Sequence, residues 1–152
     1  MKSLKENNKG FSLVELIVVV LIMAIIAVAL APQVMKWVNN SRESADANNY
    51  DSLYANVQLA LTDKTAYEKV IADTGKTVVL VISTDADVTS NTGTADTATV
   101  TAVTDALTKL DSGWTKIRKK VSGSTTYSIT INCGNPPSIT KNAPTLSSSD
   151  LQ

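Results

Sequence analysis

From Phe11 to Met35 the chain carries 25 residues with a single charge, Glu15. As a helix these would reach roughly 37 Å, enough to cross a hydrocarbon core of about 30 Å. The many β-branched residues (Val18, Val19, Val20, Ile22, Ile25, Ile26) would suit a buried strand, but strands are rarely this long. The segment is therefore a membrane helix or a targeting sequence.

The charges around it are unevenly placed. Residues 1–10 hold Lys2, Lys5 and Lys9 against Glu6, a net of +2 in a chain that is neutral overall, which leaves the remainder at −2. That balance does not favour a nucleic-acid partner. The chain has no histidine, which removes Ser/His/Asp and Cys/His nucleophilic chemistry and the commonest metal ligand. Cys133 is the only cysteine, so no disulfide can close within the chain. No catalytic constellation or cofactor motif emerges, and the chain reads as a non-enzyme.

Three explanations compete for the apolar run. An ordinary secretory signal would use small-residue sites such as Ala27-Val28-Ala29 or Ala29-Leu30-Ala31. The second of these places Pro32 just after the cut, and Glu15 has no use in such a signal. A plain single-pass anchor accounts for the apolar run and for a lysine-rich flank kept in the cytoplasm. It does not explain Gly10-Phe11 or Glu15, and an ionisable group inside a membrane segment is a functional hypothesis by default.

The residues GFSLVEL, followed by an apolar run and a proline, account for all of these features. They resemble the class III signal of type IV pilins and the related pseudopilins. The family usually has threonine after the aromatic residue, where this chain has Ser12. The resemblance implies that a membrane peptidase cuts after Gly10 and that the new terminus, Phe11, is N-methylated, leaving the apolar segment on the mature chain. It further implies that Glu15 pairs with the Phe11 amine of a neighbouring subunit during assembly, and that the helix bends or opens around Pro32. Proline there removes the hydrogen bond to the carbonyl of Val28. The implied partners are further copies of the chain in a helical filament, the prepilin peptidase and methyltransferase, an assembly platform with its ATPase, and the cytoplasmic membrane before assembly. The implied location is the inner membrane and then the cell surface, with adhesion, motility or aggregation as outputs. A pseudopilin of a secretion or competence system and a non-polymerising surface binding protein are the alternatives.

Beyond Pro32, Tyr50, Leu53, Tyr54, Val57 and Leu61 fall on one helical face, with Asn48, Ser52, Asn56 and Asp63 opposite. No glycine intervenes between Phe11 and Asp73, so the pattern predicts one helix of about 50–60 residues. Gly75 ends it, and residues 76–83 form a β-branched strand. Eight of the 21 residues from Thr84 to Thr104 are threonine, and the early part reads as a polar loop. A second helix is expected from Thr97 to Leu110. Trp114–Val121 and Tyr127–Asn132 are expected to form a hairpin around Ser-Gly-Ser, with Tyr127, Ile129 and Ile131 facing inward. A short strand follows over Ser138–Lys141. The expected fold is α+β: a long N-terminal helix packed on an antiparallel sheet of three or four strands. Its organisation would be a cleaved leader (1–10), an apolar helix (11–35), an amphipathic continuation (36–73) and a head (74–152). A closing disulfide, common in pilins of Gram-negative bacteria, is impossible here.

Weaker signals resolve to bland readings. The Gly75-Lys76-Thr77 triplet lacks the earlier glycine of a phosphate loop, since that position is Val70. The Lys116–Lys120 basic cluster beside Trp114 fits a solvated strand face better than a DNA contact. Asp85 and Asp87 lack the other oxygen ligands that calcium needs. Cys133 reads as a small buried residue, and the sequon Asn39-Asn40-Ser41 lies on the long helix.

Overall fold

The computed structural model describes residues 12–83, 87–90, 93–117 and 127–142. The elements are α1 (Leu13–Ala60), α2 (Lys64–Ala72), β1 (Thr77–Ile82), β2 (Thr89–Ser90), α3 (Thr97–Leu110), a 3-10 turn (Trp114–Lys116), β3 (Tyr127–Asn132) and β4 (Ser138–Asn142). The chain divides into two compact units, Met1–Val38 and Asn39–Gln152. The first holds residues 13–38 of α1, and the second holds the rest of α1 and all the later elements.

The second unit is α+β. Its sheet has the order β2-β1-β3-β4, antiparallel throughout. The alternation of β-branched residues fixes the register. Val78, Leu80 and Ile82 on β1 stand opposite Ile131, Ile129 and Tyr127 on β3, and all six are buried. A one-residue slip would turn one of these apolar rows to the opposite face, so the pairing is strongly specified. On that face lie Tyr50, Leu53, Val57 and Ala60 of α1, together with Val100, Val103, Ala106 and Leu107 of α3. The expected helical face is thus the core face, with Tyr54 and Leu61 half-buried against its edge. The Tyr50 hydroxyl donates to the Ser128 carbonyl at 2.8 Å, and its ring sits 5.2 Å from that of Tyr127. Lys141 on β4 pairs with Asp51 and lies 4.4 Å over the Tyr54 ring.

The strand at Thr77–Ile82, the helix at Thr97–Leu110 and the strands at Tyr127 and Ser138 stand where the pattern put them. Two expectations fail. The long helix is not continuous to Asp73: α1 stops at Ala60, and α2 starts at Lys64. Asp63 causes the break, because its carboxylate accepts from the backbone of Thr65 (2.9 Å) and Ala66 (3.2 Å) and caps a new helix. The Thr62 hydroxyl, donating to the Leu59 carbonyl at 2.6 Å, helps close off the old one. A polar residue read as the outer face of one helix is the start of the next.

The second failure is the hairpin. Trp114–Lys116 is a 3-10 turn, and β3 is flanked by β1 and β4. The Asp111 carboxylate accepts from the Gly113 N–H at 2.8 Å, which turns the chain, and the Trp114 indole donates to Thr108 at 3.1 Å. Aromatic and β-branched content alone reads as strand here, but the turn chemistry just before Trp114 overrides it. Residues 118–121 and the Ser-Gly-Ser turn lie outside the described residues. Within the polar loop, Val88 is buried and Thr89–Ser90 adds a short edge strand beside β1, which composition did not reveal.

The junction of α2, β1 and α3 is polar and closely tied. Asp73, at the end of α2, accepts from the Asp96 N–H (2.9 Å) and the Thr99 hydroxyl (2.6 Å) at the start of α3. Lys76 reaches Asp73 at 3.2 Å and Asp96 at 2.7 Å. These partners, Thr99 first, hold the Asp73 carboxyl down at about 2. Gly75 takes a φ of +84°, the left-handed conformation that glycine adopts freely after a helix, and donates to the Cys133 carbonyl at 3.0 Å. The Gly75-Lys76-Thr77 triplet is therefore a helix end leading into a strand.

Candidate functional site: the N-terminal apolar helix

Ser12 precedes the first turn of α1, and its carbonyl accepts from the Leu16 N–H at 3.2 Å. Glu15, three residues on, reaches back to the Ser12 N–H at 3.4 Å, the long limit of a hydrogen bond. This is half of a capping box, Ser-x-x-Glu, in which the carboxylate satisfies a backbone donor that the helix leaves open. A carboxylate in the first turn also sits favourably against the helix dipole. The signal for this role, a Ser-x-x-Glu before an apolar run, stands in the sequence.

From Leu13 to Val38 no apolar side chain is buried; Val28 is 78% exposed and Trp37 67%. The core helix of a soluble protein would hide one face, as residues 50–60 do. Instead, α1 has a stretch long and apolar enough to cross a membrane, none of it buried within the chain. Pro32 lies inside α1, with helix on both sides. Gly10 and Phe11 lie outside the described residues. The apolar stretch has a charge at each border, Glu15 before Leu16 and Lys36 after Met35, and Trp37 stands beside the second.

Residues 5–31 match the family described as the Prokaryotic N-terminal methylation motif. The chain carries the pilin-type methylation motif. The match takes in residues 5–10, Ser12, Glu15 and most of the apolar helix, and the motif is the class III signal shared by type IV pilins and pseudopilins. It implies processing by a prepilin peptidase and handling by assembly machinery of that general kind, and with the exposed apolar helix it fits anchoring in a membrane. No curated protein and no solved structure matches the chain.

The remaining candidates lie away from the motif. Lys116 pairs with Asp87 at 2.6 Å, so each has a partner other than DNA or calcium; Asp85 and residues 118–120 lie outside the described residues. Among the described residues no group of three or more His, Cys, Asp or Glu side chains is placed to hold a metal ion. Cys133 is buried, as expected, and burial pushes its thiol up. An open groove of about 200 Å³ runs along Leu59, Thr62, Asp63, Ala106 and Leu110, bridged by the Asp63–Lys109 pair at 3.1 Å. Sequence reasoning missed Asp46, which is 3% exposed, and Asp73 as the tie between helices.

Proposed function

We propose that the chain is a structural subunit of a type IV pilus. It is made with the leader 1–10, cut after Gly10 and N-methylated on Phe11. It is held in the cytoplasmic membrane by the apolar helix of residues 11–35 and then polymerised through that helix into a surface filament. The amphipathic segment 36–73 and the head 74–152 form the exposed part. Filaments of this kind serve adhesion, motility or aggregation, and the chain would be a substrate of the processing enzyme, not a catalyst.

The observation that carries this reading is the coincidence of the methylation motif at residues 5–31 with an apolar helix whose every large side chain is exposed. A surface that apolar needs lipid before assembly and neighbouring helices afterwards. Glu15 would pair with the Phe11 amine of an adjacent subunit, since burial of either charge alone is expensive and pairing offsets it. Pro32 would let the helix open at the Val28 carbonyl within the filament.

The test is mass spectrometry of material sheared from the cell surface. A chain beginning at methylated Phe11 is the expected result, and one beginning at Leu30 would restore an ordinary secretory signal. The motif is shared with pseudopilins, and filament length separates the two: long surface fibres mark a pilin, and short fibres confined to the envelope a pseudopilin. A processed chain that stays monomeric would instead be a membrane-anchored binding protein.

A further inference from the structure

We infer that Trp37 and Lys36 form an anchor at the outer membrane interface, and that this anchor fixes Glu15 at the inner border of the bilayer in the unassembled subunit. The inference rests on the membrane-spanning reading above and adds a depth to it. The charge-free stretch from Leu16 to Met35 is 20 residues, and at 1.5 Å per residue it measures about 30 Å, the thickness of a typical hydrocarbon core. A charge closes it at each end. Sliding the helix inward by one turn would draw the Lys36 ammonium into hydrocarbon, and sliding it outward would do the same to the Glu15 carboxylate. Both moves are opposed, because intramembrane charges are costly.

Trp37 adds a preference to these two barriers. It is 67% exposed, stands next to Lys36, and is followed by the polar run Asn39-Asn40-Ser41-Arg42. Tryptophan, with an apolar body and a polar N–H, concentrates at the headgroup level. With Trp37 there, Glu15 lies 22 residues away, about 33 Å along the helix. That distance places its carboxylate level with the opposite headgroups, beside the lysine-rich leader. The carboxylate of the waiting subunit is therefore solvated at the border, and its capping contact with Ser12 is made there. It enters a low-dielectric setting only when the helix leaves the bilayer for the filament.

The test uses the full chain in phosphatidylcholine vesicles containing lipids brominated either near the headgroup or near the acyl terminus. Trp114 is buried in the head, and its unquenched signal is removed by subtracting the Trp37→Tyr variant, which keeps an interfacial aromatic. The Trp37 signal should be quenched more by the shallow bromines. On the Trp37→Tyr background, Ile25→Trp should be quenched more by the deep bromines, and Leu16→Trp, beside Glu15, by the shallow ones. A Trp37 that is unquenched, or quenched best from the bilayer centre, while Ile25→Trp reports a deep position, overturns the anchor and leaves the membrane span standing. A deeply quenched Leu16→Trp overturns the border position of Glu15. If none of the three reporters is quenched, the membrane-spanning reading fails, and the anchor with it.

Discussion

The hydroxyl of Thr99 donates a 2.6 Å hydrogen bond to the carboxylate of Asp73, joining the start of α3 to the end of α2 across 26 residues of sequence. Thr99 is buried, and the same carboxylate oxygen also accepts from the Asp96 N–H. Asp96, at the N-cap position, makes no side-chain cap to its own helix. Asp73 instead accepts the backbone N–H of Asp96 itself, the contact that an N3 carboxylate makes in a capping box, here supplied by another element.

This arrangement sets a pH dependence. The Asp73 carboxyl titrates at about 2 when folded and at 3.8 ordinarily. A depressed carboxyl favours the folded state above its unfolded value, so the contribution is full above about pH 4 and is lost as pH falls through the folded value. Asp73→Asn should lower stability at neutral pH and flatten the stability curve over that acid window. Thr99→Val should lower stability too and move the Asp73 titration up toward its ordinary value. Denaturation of the detergent-solubilised chain at a series of pH values measures both. An unchanged acid limb in Asp73→Asn would refute the assignment.

At Glu15 two roles predict different outcomes for two substitutions. Glutamine can still accept from the Ser12 N–H, as it does at this position of a capping box, but it carries no charge to pair with an amine. Glu15→Ala and Glu15→Gln should both leave a processed chain in the membrane, and neither should form filaments if charge pairing drives assembly. Electron microscopy of cell surfaces checks this; filaments in Glu15→Gln alone would make capping the role that matters.

Gly75 and Gly93 should respond to alanine for different reasons. A Cβ at Gly75 meets nothing within 4 Å, but its φ is +84°, so Gly75→Ala should cost about 1–2 kcal/mol, the left-handed penalty. At Gly93 a Cβ would stand 2.1 Å from the backbone oxygen of Thr77. Gly93→Ala must displace the chain beside β1 and should cost more. Gly75→Asn should recover part of the loss, and Gly93→Asn none. Melting curves of the four variants would show it.

In the core, Leu53 has no exposed surface, and Leu53→Ala should destabilise the head by about 2–5 kcal/mol. Leu30→Ala, on a side chain that is 49% exposed in the apolar helix, should leave head unfolding unchanged. Near-ultraviolet circular dichroism during denaturation separates the two.

Periodicity carried most of what could be read from the residues. The period-two rows of β1 and β3 and the helical spacing of Tyr50, Leu53 and Val57 correspond to one continuous core, and the pattern of α3 gave both its ends. The errors lie where a single polar side chain overrules a pattern. Asp63 caps a new helix within an apparently unbroken one, and Asp111 turns the chain just before a strand-like Trp114. Burial of Val88 and Asp46 depends on which distant segments cover them, and no local window holds that information. At the functional end, GFSLVEL was legible because identity and spacing are both constrained there. The capping use of Glu15 is written in the same stretch, as Ser12-x-x-Glu15 ahead of the apolar run.

The stretch of α1 from Asn39 to Ser44 has a further consequence. Asn39, Asn40, Ser41 and Ser44 are weak helix formers, the residues there are exposed or half-buried, and the Ser44 hydroxyl bonds back to the Asn40 carbonyl at 2.9 Å, a contact that slightly weakens and bends helices. Opening these turns uncovers almost no apolar surface, whereas opening the turns around Leu53 and Val57 means tearing the core. Amide protons at residues 40–44 should therefore exchange with solvent through small local fluctuations, and those at 53–57 only through global unfolding. A single helix would thus show two exchange regimes, with the boundary set by where the core begins rather than by any break in its hydrogen-bond ladder.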